Sequence, residues 1–318
     1  MTKDLTTISR RSLMGAAAAL PLAAAATGVS TGAATAAGHG GGAPMPKSRS
    51  FKLGDFSVTT LLDGSVSRDG VKDIFGGNAS DEAFAQVSAE NFISAEAAQF
   101  YFTPTLVDTG SELILFDTGL GRGGIVAALA EAGVTPDQID VVVLTHMHPD
   151  HIGGLMTDGA ATFANARYVT GSTEYNFWSK MEAGNRVGDL VAKNVTPLAE
   201  KMAFIEDGAS VSSGITAMEA FGHTPGHMTF MLESGGRQLV LTADLANHYV
   251  WSFAHPEWVV SFDSDKDMAT ASRRKILGML AADQVPMIGY HMPFPAAGFV
   301  APRGDGFRYV PVSYQLMG

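Results

Sequence analysis

The chain has 318 residues, no cysteine and a formal net charge of −11 at pH 7. Without cysteine it forms no disulfide, holds no metal through thiolates and has no cysteine nucleophile. The acidic balance argues against nucleic acid or an anionic membrane as a partner, because no basic cluster stands out in the sequence. Hydrophobic residues make up 46% of the chain, which is enough for the core of one large domain or two small ones.

The N-terminal segment has the features of an export signal. Arg10 and Arg11 precede an alanine- and leucine-rich run at 15–27, which is too short to cross a bilayer as a stable helix. Twin arginines in this place resemble a twin-arginine (Tat) signal, and Ala34-Thr35-Ala36 offers a small-residue cleavage site. We therefore predict a periplasmic or secreted protein with a signal peptide at 1–36, a flexible linker at 37–49 and a folded domain at 50–318.

Hydrophobic periodicity and turn residues predict strands and helices in both halves of this domain. The predicted strands cover 51–53, 56–62, 99–107, 113–116, 141–144, 167–170, 215–220, 228–232, 238–242 and, as the last buried strand, 285–289. The predicted helices cover 81–89, 124–132, 172–181, 187–202 and 266–282, the last capped by Asp263 or Asp265, and the rest of 66–97 is expected to be irregular. This order favours an α+β fold in which two sheets face each other and helices lie outside.

The loop after the apolar run 141–144 carries four groups that bind metals: His146, His148, Asp150 and His151. Imidazole and carboxylate suit zinc and its first-row neighbours. His146 and His148 lie two residues apart and can point the same way from an extended backbone, whereas Asp150 and His151 follow a proline and can face a second point. The spacing therefore favours two metal ions over one. A solvated loop with incidental histidines is the alternative, but three of the nine histidines fall in this window.

Acidic or imidazole side chains also follow four other predicted strands: Asp117, Asp244, His291 and the pair His223 and His227. Each has an ordinary alternative role, as a turn residue for Asp117, a helix cap for Asp244 and a core residue for His291. Pro225-Gly226 prevents His223 and His227 from sharing a helix face, so one of them can ligate while the other supports it by hydrogen bonding. Together these strand ends indicate a metal site.

In chain order, these motifs resemble the metallo-β-lactamase superfamily: Asp117-Thr118-Gly119, His146-x-His148-x-Asp150-His151, the Gly-His-Thr-Pro-Gly-His turn of His223, then Asp244 and His291. The resemblance spans residues 51–295. It implies an αββα sandwich of two mixed β-sheets with helices on the outer faces, and a dinuclear site at one edge of the sheets.

The resemblance also implies a role for each motif residue. His146, His148 and His223 would hold one divalent ion, Asp150, His151 and His291 the other, and Asp244 would bridge the two. Asp117 and His227 would support the ligands by hydrogen bonds. Zn²⁺ is the expected metal, with Mn²⁺, Fe²⁺ and Co²⁺ as alternatives, because imidazole and carboxylate accept all of them.

Segments at 52–56, 62–64, 145–154, 176–178 and 307–312 look like those of the exported methyl parathion hydrolases. Their relatives, the N-acyl homoserine lactonases, share the metal residues, and these relatives also suggest a homodimer. Lactonases commonly have a tyrosine three residues after the bridging aspartate, where this chain has Asn247. His248 or Tyr249 is a candidate replacement in the substrate pocket. Phe177 and Trp178 are predicted to form an aromatic wall of that pocket, with a position in the core as the alternative.

We therefore expect a dinuclear metal-dependent hydrolase in which a metal-bridging hydroxide attacks a small-molecule ester. Asp244 would keep the metals close, and Asp150 would bind metal and act as a candidate proton donor to the leaving group. Lactones or related carboxylic esters, including those of quorum sensing, are preferred as natural substrates. Organophosphate triesters are the alternative, and a non-catalytic metal-binding protein is the alternative of another class, against which the complete ligand set argues.

Replacing Arg10 and Arg11 with lysine tests the predicted export route. We expect the precursor to remain in the cytoplasm, because the twin arginines are what the export machinery reads. Fractionation of cells that express wild type and the double variant measures this. Unchanged export would point to another route.

Overall fold

The computed structural model describes residues 45–312, and this part of the chain contains two seven-stranded β-sheets. The predicted signal peptide, and the predicted linker up to residue 44, lie outside the described residues. The linker prediction is wrong at its end, because the first strand begins at Ser48. The backbone N–H groups of Lys47 and Ser48 donate to the carboxylate of Glu131 at 2.8 and 3.1 Å, which fixes this segment against the first sheet's outer helix.

The described residues form eighteen strands. They are β1 (Ser48–Leu53), β2 (Phe56–Leu61), β3 (Gly64–Asp69), β4 (Ala97–Phe102), β5 (Thr105–Asp108), β6 (Leu113–Phe116), β7 (Val141–Leu144), β8 (Met156–Thr157), β9 (Ala160–Ala161), β10 (Arg167–Gly171), β11 (Met202–Ile205), β12 (Ser210–Ser212), β13 (Ile215–Glu219), β14 (Met228–Ser234), β15 (Arg237–Ala243), β16 (Met287–Gly289), β17 (Ala297–Arg303) and β18 (Gly306–Pro311).

Both large sheets are mixed. The first has the order β1-β2-β5-β6-β7-β10-β11 and is parallel from β6 to β11. The second has the order β12-β13-β14-β15-β16-β17-β18 and is parallel only between β15 and β16. Two small antiparallel sheets, the pair β3-β4 and the hairpin β8-β9, lie outside these sheets.

Eight α-helices complete the described part of the chain. They are α1 (Val71–Phe75), α2 (Asp81–Glu90), α3 (Gly124–Glu131), α4 (Pro149–Ile152), α5 (Ser172–Trp178), α6 (Arg186–Asn194), α7 (Trp251–Ala254) and α8 (Lys266–Asp283). No helix among residues 45–312 combines the length and the hydropathy that crossing a bilayer requires.

Strand β7 shows how the layers are held together. Val141 and Val143 pack between the two sheets, whereas Val142 and Leu144 point the other way and pack with Leu129 of α3. All four are fully buried, as expected for a continuous apolar run in a parallel strand that is covered on both faces. Helix α8 covers the second sheet in the same way. The expected αββα sandwich is confirmed.

Several local predictions are wrong, each for a physical reason. The stretch 66–97 was expected to be irregular except for one helix. It also contains the exposed, polar strand β3, which pairs with β4, and helix α1, which follows β3. The predicted strand 99–107 is interrupted at Thr103 and Pro104, where the chain leaves the small β3-β4 sheet and enters the first large sheet. Helix 187–202 ends at Asn194, because Pro197 cannot continue an α-helix, and a 3₁₀ turn at Thr196–Lys201 follows.

The end of the chain also differs from the prediction. The strand at 287–289 is not the last, because β17 and β18 extend the second sheet beyond it. Of the two proposed caps of α8, Asp265 fills the role by accepting the N–H of Met268 at 2.9 Å. Asp263 is buried and has a different partner, His223.

Candidate metal centre

Strand ends of both sheets meet at one edge of the sandwich. Parallel neighbours finish at the same side of a sheet, so β6 and β7 deliver Asp117 and the loop 145–152 together, while β15 and β16 deliver Asp244 and His291. The turn between β13 and β14 adds His223 from the second sheet. The structure thus brings all seven residues predicted as ligands into one place, in two groups.

The first group contains His146, His148, His223 and Asp244. His148 Nδ1 lies 3.1 Å from His146 Nε2 and 2.9 Å from His223 Nε2. The carboxylate of Asp244 completes the group, with Oδ2 at 3.3 Å from His223 Nε2. Four donor atoms therefore surround a space the size of one cation.

The second group contains Asp150, His151 and His291. Asp150 Oδ2 lies 3.7 Å from His151 Nε2 and 3.5 Å from His291 Nε2. Asp244 also contacts this group, through Oδ1 at 3.2 Å from His151 Nε2 and Oδ2 at 3.0 Å from His291 Nε2. The carboxylate of Asp244 therefore lies between the two groups.

Hydrogen bonds at the back of the imidazole rings fix which nitrogen faces the centre. The Nδ1 atoms of His151, His223 and His291 lie 2.8, 2.9 and 2.8 Å from Asp117 Oδ2, Asp263 Oδ1 and the carbonyl of Tyr101. These partners only accept hydrogen bonds, so each Nδ1 carries a proton and each Nε2 is the nitrogen that faces the centre and is free to bind a metal. This arrangement is the one that metal-binding histidines need.

The buried polar atoms at the centre fit two cations. Among the described residues, His151 Nε2 and Asp244 Oδ1 are buried and have no hydrogen-bond partner. Such atoms are costly to bury unless an ion or another partner satisfies them. Imidazole nitrogens with lone pairs facing one another also need a positive charge between them. The nitrogen and oxygen donor set suits Zn²⁺ and other first-row divalent ions.

Electrostatics distinguish the two histidines of the turn. Burial lowers the pKa of His223, but hydrogen bonds and the charges of Asp244 and Asp263 outweigh this effect and raise it to about 9. This site therefore attracts a positive charge. Burial lowers the pKa of His227 to about 3, so that ring is neutral.

His227 has both ring nitrogens engaged by the protein. Its Nδ1 donates to the carbonyl of Ala220 at 3.0 Å, and its Nε2 accepts the backbone N–H of Asp244 at 3.1 Å. No lone pair remains for a metal. The geometry therefore fits a supporting role for His227 and a ligand role for His223.

Asp117 supports ligands of both groups. Its Oδ2 accepts from His151 Nδ1 and from the hydroxyl of Thr145 at 2.8 Å, and that hydroxyl lies 3.1 Å from His146 Nδ1. Its Oδ1 accepts the N–H of Thr145 at 2.9 Å. Asp117 holds this position with φ of 61°, an uncommon conformation outside glycine that the hydrogen bonds stabilise.

Sequence reasoning missed Glu174, which joins the two histidine loops. Oε1 accepts from the N–H of Met147 and from Trp178 Nε1, both at 2.8 Å. Oε2 accepts from the hydroxyl of Thr224 at 2.7 Å and the N–H of Gly226 at 2.9 Å. Glu174 is fully buried, and burial raises its pKa although these four donors lower it. A Cβ on Gly226 would lie 2.2 Å from the backbone nitrogen of Glu174, so this approach requires glycine.

Asp263 was also missed as a site residue, because it lies just before helix α8 and was interpreted as a candidate helix cap. Its Oδ1 orients His223, and its Oδ2 accepts from the fully buried Arg273 at 2.9 Å. Arg273 also donates to the carbonyls of Leu245 and Pro256. No local sequence pattern links Asp263 to a histidine 40 residues earlier.

A cavity of about 710 Å³ opens beside the centre. Its lining includes five of the predicted ligands and an apolar wall: His148, Asp150, His223, Asp244, His291, Phe100, Phe102, Leu120 and Phe262. Strand β4 and the segment before α8 supply the aromatic residues. The sequence did not predict this wall.

The four residues predicted for the substrate pocket do not line this cavity in the described part of the chain. Trp178 is buried with its indole N–H on Glu174, and Phe177 beside it is 37% exposed. His248 is buried in an aromatic stack, with its ring centroid 3.9 Å from that of Trp251, and burial lowers its pKa to about 3. Tyr249 lines a separate cavity near the C-terminal hairpin.

Asn247, which stands in the position of the lactonase tyrosine, does not line the cavity either. Its side chain is buried and donates to Asp244 Oδ2 at 2.9 Å. It supports the shared carboxylate and supplies no group to a substrate.

Comparison with known proteins places this fold and site in a family. A sequence model of the metallo-β-lactamase superfamily matches residues 103–287, which is more than half of the chain. The chain therefore belongs to that superfamily. The match ends before His291, whose place beside Asp244 is shown by the structure.

Curated relatives include N-acyl homoserine lactonases and proteins of other activity. The lactonase of a Bacillus species is 28% identical over 189 residues, which cover 54% of this chain and 70% of the relative. A ribonuclease of Thermus thermophilus is 29% identical over 149 residues, covering 45% of this chain and 34% of the relative.

Two solved structures are similar over most of the chain. AidC, a dizinc quorum-quenching lactonase in complex with a product, has a TM-score of 0.78 and 28% identity, covering 85% of this chain and 99% of AidC. The hydrolase AbOPH of the β-lactamase superfamily has the same TM-score and coverage at 24% identity, which shows the shared fold alone.

The roles of His223 and His227 are separated by alanine substitution. His223→Ala removes a donor atom from the first group, so we expect about half of the bound metal to be lost. His227→Ala leaves the ligands in place but strands the N–H of Asp244, at a cost of about 1–3 kcal/mol in the free energy of unfolding. Metal analysis and denaturant unfolding measure both effects, and a greater metal loss in His227→Ala would reverse the assignment.

Glu174→Gln tests the link between the two loops. Glutamine keeps the size but turns an N–H₂ group toward two of the four donors, so we expect metal affinity to fall by about 10–100-fold. Competition with a chromogenic chelator measures the affinity. The exposed Glu182→Gln is the matched control. Equal affinity in both variants would contradict a positioning role.

Proposed function

We propose that this protein is a dinuclear metal-dependent hydrolase that cleaves lactones or related carboxylic esters. The Asp244 carboxylate carries this proposal, because it lies within 3.3 Å of donor nitrogens from both groups. One carboxylate between two such groups is suited to hold two ions together. The second support is the likeness to AidC, a dizinc lactonase, from which we propose Zn²⁺ as the metal.

Two divalent ions in such a site supply Lewis acidity and lower the pKa of water from 15.7 toward about 7. The chain's own groups decide what else happens in the cavity. Among the described residues that line it, none carries a hydroxyl group. The alkoxide that leaves a lactone needs a proton, and Asp150 is a carboxyl group at the cavity wall with its side chain 20% exposed. We therefore assign proton donation to Asp150.

The cavity wall favours an organic ester. Phe100, Phe102, Leu120 and Phe262 form an apolar surface beside the centre, which suits an acyl chain or a ring. Homoserine lactonases among the relatives point to lactones. The tyrosine that lactonases commonly carry is replaced by the inward-facing Asn247, so specificity for homoserine lactones does not transfer from them. Organophosphate triesters remain the alternative substrate class.

Metal removal and a substrate panel test the proposal. Chelator-treated protein should lose two metal ions per chain together with its activity, and added Zn²⁺ should restore both. Elemental analysis gives the stoichiometry, and kcat/KM is measured on aryl lactones, aryl esters and phosphotriesters. We expect lactones to give the highest kcat/KM.

Asp244→Ala should reduce both metal content and kcat/KM by orders of magnitude, because it removes the donor that the two groups share. The exposed Asp283→Ala is the matched control. A wild-type protein that holds two metals and cleaves nothing in the panel is a metal-binding protein. Preference for triesters would establish the alternative substrate class.

A further inference from the structure

Four cationic side chains line the cavity beside the metal centre: Arg68, Arg122, Arg186 and Lys193, hereafter the cationic rim. They come from three separate parts of the chain, namely strand β3, the loop before α3, and helix α6. All four are exposed, whereas the proposed ligands that face them are mostly buried. The rim therefore lies toward the mouth of the cavity, and the centre lies at its base.

The charge of the rim is not balanced by the protein. Apart from Asp150 and Asp244 at the centre, Asp158 is the one acidic residue among the described residues that line the cavity. No rim side chain has an ion-pair partner within 4.0 Å among residues 45–312, whereas Arg167, Arg273 and Arg303 each contact a carboxylate. In a chain of net charge −11, such a concentration of unpaired cations is unusual.

Helix α6 shows how the rim is combined with the apolar wall. Arg186, Val187, Leu190 and Lys193 all line the cavity. Residues spaced by three, four and seven positions share one face of a helix. This face presents two cations separated by apolar side chains, so it suits a ligand with an apolar body and a negative end.

We propose that the natural substrate is an anionic lactone or ester, with a carboxylate or similar group far from the bond that is cleaved, and that the cationic rim binds this group. The inference rests on the hydrolase function proposed above. Guanidinium groups bind carboxylate and phosphate oxygens in a bidentate geometry, and lysine adds a point charge. Homoserine lactones with simple acyl chains and phosphotriesters carry no net charge and leave the rim without a partner.

The test compares two lactones whose side chains are equal in length and end in a carboxylate or in a carboxamide. The two end groups have the same shape and differ in charge. We expect wild type to prefer the carboxylate by about tenfold or more in kcat/KM, mainly through KM, because the rim contacts a group that does not react. Calorimetric binding of the corresponding ring-opened acids, with either end group, is measured in parallel on zinc-loaded protein.

Two double variants identify the groups responsible. Arg186→Gln/Lys193→Gln removes two charges from the rim and should bring the carboxylate preference close to one. Arg237→Gln/Lys275→Gln removes two exposed charges outside this cavity and should keep the preference of wild type. Both variants change the net charge equally, so an effect of overall charge would appear in both.

The outcomes separate this inference from the hydrolase proposal. Equal or better use of the carboxamide by wild type overturns the rim's role, and so does an equal loss of preference in the two double variants. If neither lactone is cleaved by zinc-loaded protein, the hydrolase proposal fails. Calorimetry then tests the rim by itself. Tighter binding of the carboxylate ligand by wild type, lost in the rim variant and kept in the control variant, supports the role of the rim. Equal binding of the two ligands by wild type refutes it.

Discussion

The structure depends on a cluster of buried imidazole and carboxylate groups that need positive charge between them. His151 Nε2 and Asp244 Oδ1 have no partner within the described protein, and the nitrogens of His148 and His223 face each other at 2.9 Å. An unpaired buried polar group is destabilising, so the rest of the sandwich must hold this cluster in place. The hydrogen bonds behind the rings meet that requirement and orient the lone pairs inward, which makes the edge of the sheets a metal-binding edge.

Two buried acids give the centre its rigidity. Glu174 connects the loop of His148 to the turn of His223 through three hydrogen bonds, and Asp263 connects His223 to the buried Arg273. Each carboxylate has its hydrogen-bond donors in place, so each ties together segments that lie far apart in the sequence. The cavity beside them is built from other elements, which allows its wall and its charge to change without disturbing the metal ligands.

Parts of this arrangement could be read from the sequence, and parts could not. The apolar run 141–144 followed by three histidines predicted both the strand and its metal-binding loop, because the apolar residues and the metal-binding side chains are adjacent in the sequence. Glu174 and Asp263 had no such signal, since their partners lie far away along the chain. The aromatic residues at 177–178 suggested a pocket wall, but Trp178 packs in the core and Phe177 is exposed, because tertiary packing decides which face of a helix is covered. The sequence does not reveal the cationic rim either, because its four residues are scattered over 125 positions between Arg68 and Lys193.

Asp117 touches ligands of both groups, directly at His151 and through the hydroxyl of Thr145 at His146. Loss of this single carboxylate would remove the acceptor behind His151 and would also free the Thr145 hydroxyl that lies beside His146. The two groups therefore share one point of support, and a change at Asp117 would disturb both of them.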